Sequence, residues 1–125
     1  MPYGPKVIEH FTKPMNVGEM KGADGVGRAS NEADGDVVVI YIKIRDERIV
    51  DVRFQTFGCA AAIASSSMFT EMIKGKTIDE ALKVDKQTVA DAFEKGMPAN
   101  KVECSIIAPE ALREAVEDYR RKRIH

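Results

Sequence analysis

Two cysteines, Cys59 and Cys104, are the residues whose chemistry distinguishes this chain most clearly. Cys59 follows a β-type run and a glycine at the start of a predicted helix of small residues, and Cys104 also lies at a predicted helix start. Unpaired backbone amides and the positive end of the helix dipole lower the pKa of a thiol at such a position. A thiolate can bind a soft metal, attack sulfur or carry sulfur. Two thiols in this setting suggest one shared site.

Two ordinary interpretations of the same cysteines stay open. A small buried cysteine often serves only as packing, and a disulfide could join the pair. The disulfide is the weaker alternative, because residues 1–16 contain no apolar stretch resembling a secretory signal and we expect a reducing compartment. A chain of 125 residues can also bury enough core without such a bond.

Carboxylates accompany the cysteines at the ends of predicted elements. Asp34 and Asp36 belong to a turn, and Glu103 directly precedes Cys104. Thiolates favour zinc and iron–sulfur clusters, while carboxylates add harder oxygen ligands. The residues by themselves leave two hypotheses open, a metal or sulfur site and a set of packing cysteines with ordinary turn acids.

Hydrophobic periodicity predicts the elements that would hold these residues. Residues 37–44 are β-branched and nearly continuous, which predicts a well-buried strand, and residues 49–56 alternate apolar and polar side chains, which predicts its hairpin partner. Further predicted elements are helices at 5–11, 60–73, 78–84, from Asp85, and from near Ser105 to about Arg123, with a strand at 25–30. The order predicts an α+β fold, a small antiparallel sheet of about three strands with helices packed on one face.

Length and composition limit the classes of function. A chain of 125 residues with 44% hydrophobic and 31% charged residues is expected to form a single domain, 1–125, with a packed core. The net charge of −1 gives no general attraction to nucleic acid or to a membrane surface. No apolar run approaches the roughly 18 residues that span a bilayer. We therefore expect a cytoplasmic protein.

Several segments resemble one known family, in the same order and at matching spacing. They are residues 13–18 (KPMNVG), 34–36 (DGD), 57–67 (FGCAAAIASSS), 74–81 (KGKTIDEA) and 101–106 (KVECSI). The corresponding motifs of the family are PRNVG, CGD, YGCxxAIASSS, KGKxxxEA and KxHCS. The chain thus resembles, over nearly its whole length, the iron–sulfur cluster assembly scaffolds, the IscU-type proteins that are similar to the N-terminal domain of NifU.

The resemblance implies a binding protein and not an enzyme. Such a scaffold assembles a transient [2Fe-2S] cluster, receives sulfur as persulfide from a cysteine desulfurase, and passes the cluster to apo iron–sulfur proteins. Carried onto this chain, it makes Cys59 and Cys104 metal ligands and sulfur acceptors, and Asp36 a weak ligand that keeps the cluster transferable. Lys101 keeps the family's lysine beside the last motif, and Gly35 and Gly58 permit the tight backbone that aims the neighbouring groups.

Two positions depart from the family's pattern. Asp34 stands where the family has its first cysteine, and Glu103 stands where it has histidine. Hard carboxylates at both positions would hold a cluster weakly, so mononuclear iron or zinc is an alternative cargo. A partner could also supply a thiolate, either the desulfurase or a second copy of the chain in a homodimer. A metal-free sulfur relay is the remaining alternative.

The loop 97–101 differs from the LPPVK that a dedicated chaperone recognises in the family.

Two further groups are assigned to packing. The serines at 65–67 could suggest a nucleophile, but the sequence places no histidine to activate one. His10 is expected to be a surface or helix-packing residue on the first helix, away from the site.

Overall fold

Three antiparallel strands form the sheet that positions the rest of the chain. The computed structural model describes residues 4–31, 35–93, 96–98, 102 and 106–123. The strands are β1 (Gly25–Asn31), β2 (Asp36–Arg45) and β3 (Arg48–Phe57), hydrogen-bonded in the order β1-β2-β3. The predicted α+β class and the predicted hairpin are confirmed.

The two faces of the sheet have different environments. Val38, Ile40 and Ile42 of β2 are fully buried, whereas the alternate residues Val37, Val39 and Tyr41 are only half-buried. The expectation that 37–44 would be buried throughout is therefore wrong. The described helices cover one face, so the side chains that point to the other face keep contact with solvent despite their apolar character.

Five described helices accompany the sheet, and their caps explain their bounds. They are α1 (Pro5–Thr12), α2 (Ala60–Ile73), α3 (Ile78–Leu82), α4 (Lys86–Ala92) and α5 (Ala108–Arg123). Thr77 and Glu80 form the predicted capping box at the start of α3. The carboxylate of Asp85 accepts the amide of Thr88 at 2.9 Å and so caps α4, as predicted.

The last helix begins later than the sequence indicates. Residues 106 and 107 are not helical, and α5 starts at Ala108 instead of near Ser105. The reason is Pro109, whose ring would clash with the carbonyl four residues earlier if the helix began at Ser105. A start at Ala108 keeps the proline in the first turn, where it is tolerated.

Helix α5 packs closely across strand β1. Gly25 and Gly27 lie where a side chain would overlap the carbonyl oxygens of Ala115 and Ala111, so the contact requires glycine at both positions. The carboxylate of Asp118 accepts the outward amide of Val26 at 3.0 Å and so occupies part of this sheet edge. Among the described helices, none combines the length and apolar character needed to cross a membrane.

Candidate metal and sulfur site

Asp36 and Cys59 meet at one end of the sheet, although 23 positions separate them in the sequence. Asp36 is the first residue of β2, and Cys59 follows β3 as the N-cap residue of α2. The antiparallel register pairs Val37 with Phe57, so the start of β2 lies beside the end of β3. The hairpin therefore brings a carboxylate to the thiol.

The carboxylate of Asp36 contacts Cys59 at two points. Oδ1 accepts a hydrogen bond from the Cys59 amide at 3.1 Å, and Oδ2 lies 3.9 Å from Sγ. The side chain of Cys59 makes no capping hydrogen bond to its own helix, so Asp36 supplies an acceptor for the N-terminus of α2 from another element. A negative charge at this end of a helix also matches the helix dipole.

Burial differs between the two partners in a way that suits a binding site. Asp36 is 1% exposed, whereas Cys59 is half-buried and lies beside Phe57, which is 69% exposed. The carboxylate is therefore held inside the fold while the thiol remains within reach of solvent and of another molecule. A thiol needs such access to accept sulfur or to bind iron.

Two glycines flank this contact for different reasons. Gly35 has φ +74°, in the left-handed region that favours glycine, and a side chain there would meet open space. Gly58 is not in that region, but a Cβ at this position would overlap Oδ1 of Asp36. The structure thus brings Asp36, Gly58 and Cys59 together.

The remaining predicted site residues are Asp34, Lys101, Glu103 and Cys104, and they lie outside the described residues. Their part in the site stays a prediction. Within the described ranges, no three histidine, cysteine, aspartate or glutamate side chains are grouped so that they could hold a metal ion. The described part brings together one thiol, of Cys59, and one carboxylate, of Asp36.

His10 and Ser67 form a polar contact that the sequence did not reveal. His10 Nδ1 lies 2.7 Å from Ser67 Oγ, so the expectation that no histidine faces the serine run is wrong. Ser67 is fully buried, so it cannot reach a substrate, and packing remains the function of both residues. The pair lies about 12 Å along α2 from Cys59 at the usual helical rise. No local motif signals a contact between residues 57 positions apart.

Comparison with known proteins gives consistent results over the whole chain. The family model of the NifU-like N-terminal domain matches residues 2–125. The protein named iron–sulfur cluster assembly scaffold protein IscU 1, from Archaeoglobus fulgidus, is 57% identical over 120 residues, covering 96% of this chain and 78% of that protein. The scaffold protein IscU of Escherichia coli K12 is 44% identical over 127 residues, covering 98% of each.

Solved structures share the fold. A proposed iron–sulfur cluster assembly scaffold protein for the SUF system, from Fervidobacterium islandicum AW-1, superimposes with a TM-score of 0.78 at 25% identity, covering 93% of this chain and 97% of that one. The N-terminal part of a NifU-like protein from Brucella abortus gives a TM-score of 0.76 at 19% identity, covering 95% and 94%. The second similarity concerns the fold only.

Proposed function

Since this chain belongs to the NifU-like N-terminal domain family, we propose that it is a scaffold on which an iron–sulfur cluster is assembled and from which it is transferred. The observation that carries the proposal is the contact between Asp36 and Cys59, a buried carboxylate held 3.9 Å from a half-exposed thiol. The Archaeoglobus fulgidus relative, 57% identical over 120 residues, bears the name of such a scaffold.

The ligand set we propose contains both cysteines and the neighbouring acids. Cys59 and Cys104 supply thiolates to a [2Fe-2S] cluster, and Asp36 supplies a carboxylate. Either Asp34 or Glu103, at the positions where the family has cysteine and histidine, supplies an oxygen as the fourth ligand. Since iron in a cluster prefers thiolate to carboxylate, this mixed set would hold its cargo loosely, which suits a protein that must release it.

Sulfur delivery follows from thiol chemistry. The thiolate of Cys59 or Cys104 attacks the outer sulfur of a persulfide on a cysteine desulfurase, the S–S bond breaks, and the desulfurase leaves as thiolate. An electron-transfer protein supplies the two electrons that reduce each transferred sulfur to sulfide. Apo iron–sulfur proteins take the finished cluster, and no substrate is turned over on the scaffold itself. A second copy of the chain can contribute a further thiolate in a homodimer.

A second candidate function is binding of mononuclear zinc or iron without cluster assembly. Two carboxylates favour this function. Asp34 replaces a soft ligand of the family, cysteine, and Glu103 replaces a borderline one, histidine. In that case the protein would act on the desulfurase as a binding partner. The remaining alternative is a metal-free relay that accepts persulfide sulfur and passes it on.

Anaerobic reconstitution separates these functions. The chain is incubated with ferrous iron, cysteine, a reductant and a cysteine desulfurase, and visible absorption, iron and acid-labile sulfide are measured. We expect a coloured protein with labile sulfide, loss of the colour in Cys59→Ala, and its retention in Ser66→Ala, a change on the same helix. One iron per chain without labile sulfide, or one zinc per chain in a metal analysis of protein purified without oxygen, would support the second function. A colourless wild-type protein would contradict the scaffold proposal.

A further inference from the structure

We propose that Gly58 is a positioning residue of this site, whose missing side chain admits the Asp36 carboxylate to Cys59. The effect on cluster transfer rests on the proposed scaffold function, whereas the geometric part does not. Gly58 would act through Asp36 and would not itself touch the cargo.

The atoms nearest to a side chain at position 58 belong to one residue of another element. A Cβ built there would overlap Oδ1 of Asp36 and would lie 2.9 Å from its Cγ and 3.2 Å from its Cβ. These three nearest atoms all belong to Asp36. Backbone conformation does not explain the glycine, since Gly58 is absent from the positive-φ glycines, which include Gly35. The demand for glycine therefore comes from the carboxylate.

The carboxylate cannot move aside without loss of its contacts. Asp36 is 1% exposed, and its backbone pairs with Asn31 at the start of β2. Its Oδ1, the atom that a methyl group at 58 would displace, is also the atom that accepts the Cys59 amide. An alanine at 58 must therefore push the carboxylate away from the amide and change its distance to the thiol.

This geometry predicts strong coupling between the two positions. Gly58→Ala should reproduce Asp36→Ala, because both remove the carboxylate from Cys59. Once Asp36 has become alanine, the overlapping oxygen is gone, and the same change at Gly58 should have little further effect. Residues that affect the site independently would instead give additive effects.

A double-mutant cycle on the metal-free full chain tests the geometric part. Hydrogen exchange of the Cys59 amide is measured by NMR in the wild type, Gly58→Ala, Asp36→Ala and the double variant. We expect each single change to accelerate exchange about tenfold or more, and the double variant to exchange within about twofold of the Asp36→Ala variant. Additive effects, or unchanged protection in Gly58→Ala, would overturn the positioning role.

Two further variants keep the test decisive. Asp36→Asn retains an oxygen acceptor and should keep the Cys59 amide protected, which a general disturbance at position 36 would not do. If Gly58→Ala fails to fold, adding Asp36→Ala should restore folding, because the conflicting oxygen is removed. A double variant that stays unfolded under those conditions would overturn the inference.

Cluster transfer separates this inference from the scaffold function. With reconstituted protein, Gly58→Ala and Asp36→Ala should change the half-life of the cluster in the presence of a chelator in the same direction and to within about twofold of each other. A wild-type protein that forms no cluster contradicts the scaffold function, while the exchange cycle still decides the role of Gly58. If the wild type forms a cluster, and the half-life of the cluster changes in Asp36→Ala but not in Gly58→Ala, only the positioning role is overturned.

Discussion

His10 and Ser67 join the N-terminal helix to the central helix through a contact of 2.7 Å between Nδ1 and Oγ. The same hydroxyl accepts a hydrogen bond from the amide of Met15 at 2.8 Å. On the other side of the ring, His10 Nε2 lies 3.8 Å from Glu71 Oε2. One buried serine thus fixes both α1 and the segment that follows it.

The first prediction concerns this serine. Ser67→Ala removes the partner of the His10 ring, which is buried, and of the Met15 amide, whose hydrogen bond is partly buried. We expect the free energy of unfolding to fall by about 1–3 kcal/mol. Urea denaturation followed by circular dichroism measures the change.

The neighbouring serine provides a matched control. Ser66 is also fully buried, but its hydroxyl has no hydrogen-bond partner among the residues that the structure describes. Ser66→Ala removes an unsatisfied polar atom and should be neutral or stabilising. Equal destabilisation by the two substitutions would show that burial of the side chain, and not the contact with His10, determines the cost.

The strands and the helix that hold the site could largely be predicted from the sequence. The strands at 37–44 and 49–56 differ from β2 and β3 by one residue at each end, and α2 has the predicted bounds. A hairpin with that spacing places Asp36 beside the residue that follows β3, so the approach of the carboxylate to Cys59 follows from local patterns. The capping residues also predicted where α3 and α4 begin.

Features that depend on packing between distant elements could not be predicted from the sequence. The contact of His10 with Ser67 depends on how α1 lies on α2, and no periodicity specifies it. The exposed side of β2 depends on which sheet face the helices cover, because its apolar residues occur on both faces. The role of Gly58 depends on the position of a single carboxylate oxygen.

The second prediction concerns the close packing of α5 on β1. Gly27→Ala would place a methyl group against the carbonyl of Ala111 and the amide of Ala115, both backbone atoms that cannot rotate away. We expect destabilisation of about 3 kcal/mol, at the upper end of the usual cost of overpacking. Thermal unfolding measures it. Ser30→Ala, on the exposed face of the same strand, should leave the midpoint nearly unchanged, and a similar loss in both variants would contradict the packing argument.

The third prediction concerns release of the cargo. Asp36→Ala removes one of the hard oxygen ligands of the proposed site and leaves a larger share of thiolate, so we expect slower transfer of a reconstituted cluster to an apo acceptor. Stopped-flow absorption measures the transfer rate. Asp24→Ala is the control, because Asp24 also accepts a strand amide, that of Ile44 at 2.7 Å, but near the opposite end of β2. Transfer at the wild-type rate in Asp36→Ala would contradict the role of this carboxylate.

The fourth prediction concerns the pH dependence of stability through Asp118. The hydrogen bond from Lys122, at 2.9 Å, lowers the pKa of this carboxyl below its ordinary value of 3.8, and the amide of Val26 adds to the effect. A carboxyl whose pKa is lower in the folded state than in the unfolded state stabilises the protein at pH values above its ordinary pKa. This stabilisation is lost as the pH falls through the folded-state pKa. Asp118 therefore stabilises the contact of α5 with β1 at neutral pH but not in strong acid.

Urea denaturation at neutral pH and in acid tests this assignment. At neutral pH, Asp118→Asn should be less stable than the wild type by about 1 kcal/mol, because an amide pairs poorly with Lys122. The difference should begin to shrink as the pH falls below 3.8 and should be lost below the lowered folded-state pKa, where the wild-type carboxyl is also neutral. Glu114→Gln removes a charge from the exposed face of the same helix and should show a smaller difference at neutral pH. A loss in Asp118→Asn that persists unchanged in acid would mean that shape, and not the ionised carboxylate, joins α5 to the edge of the sheet.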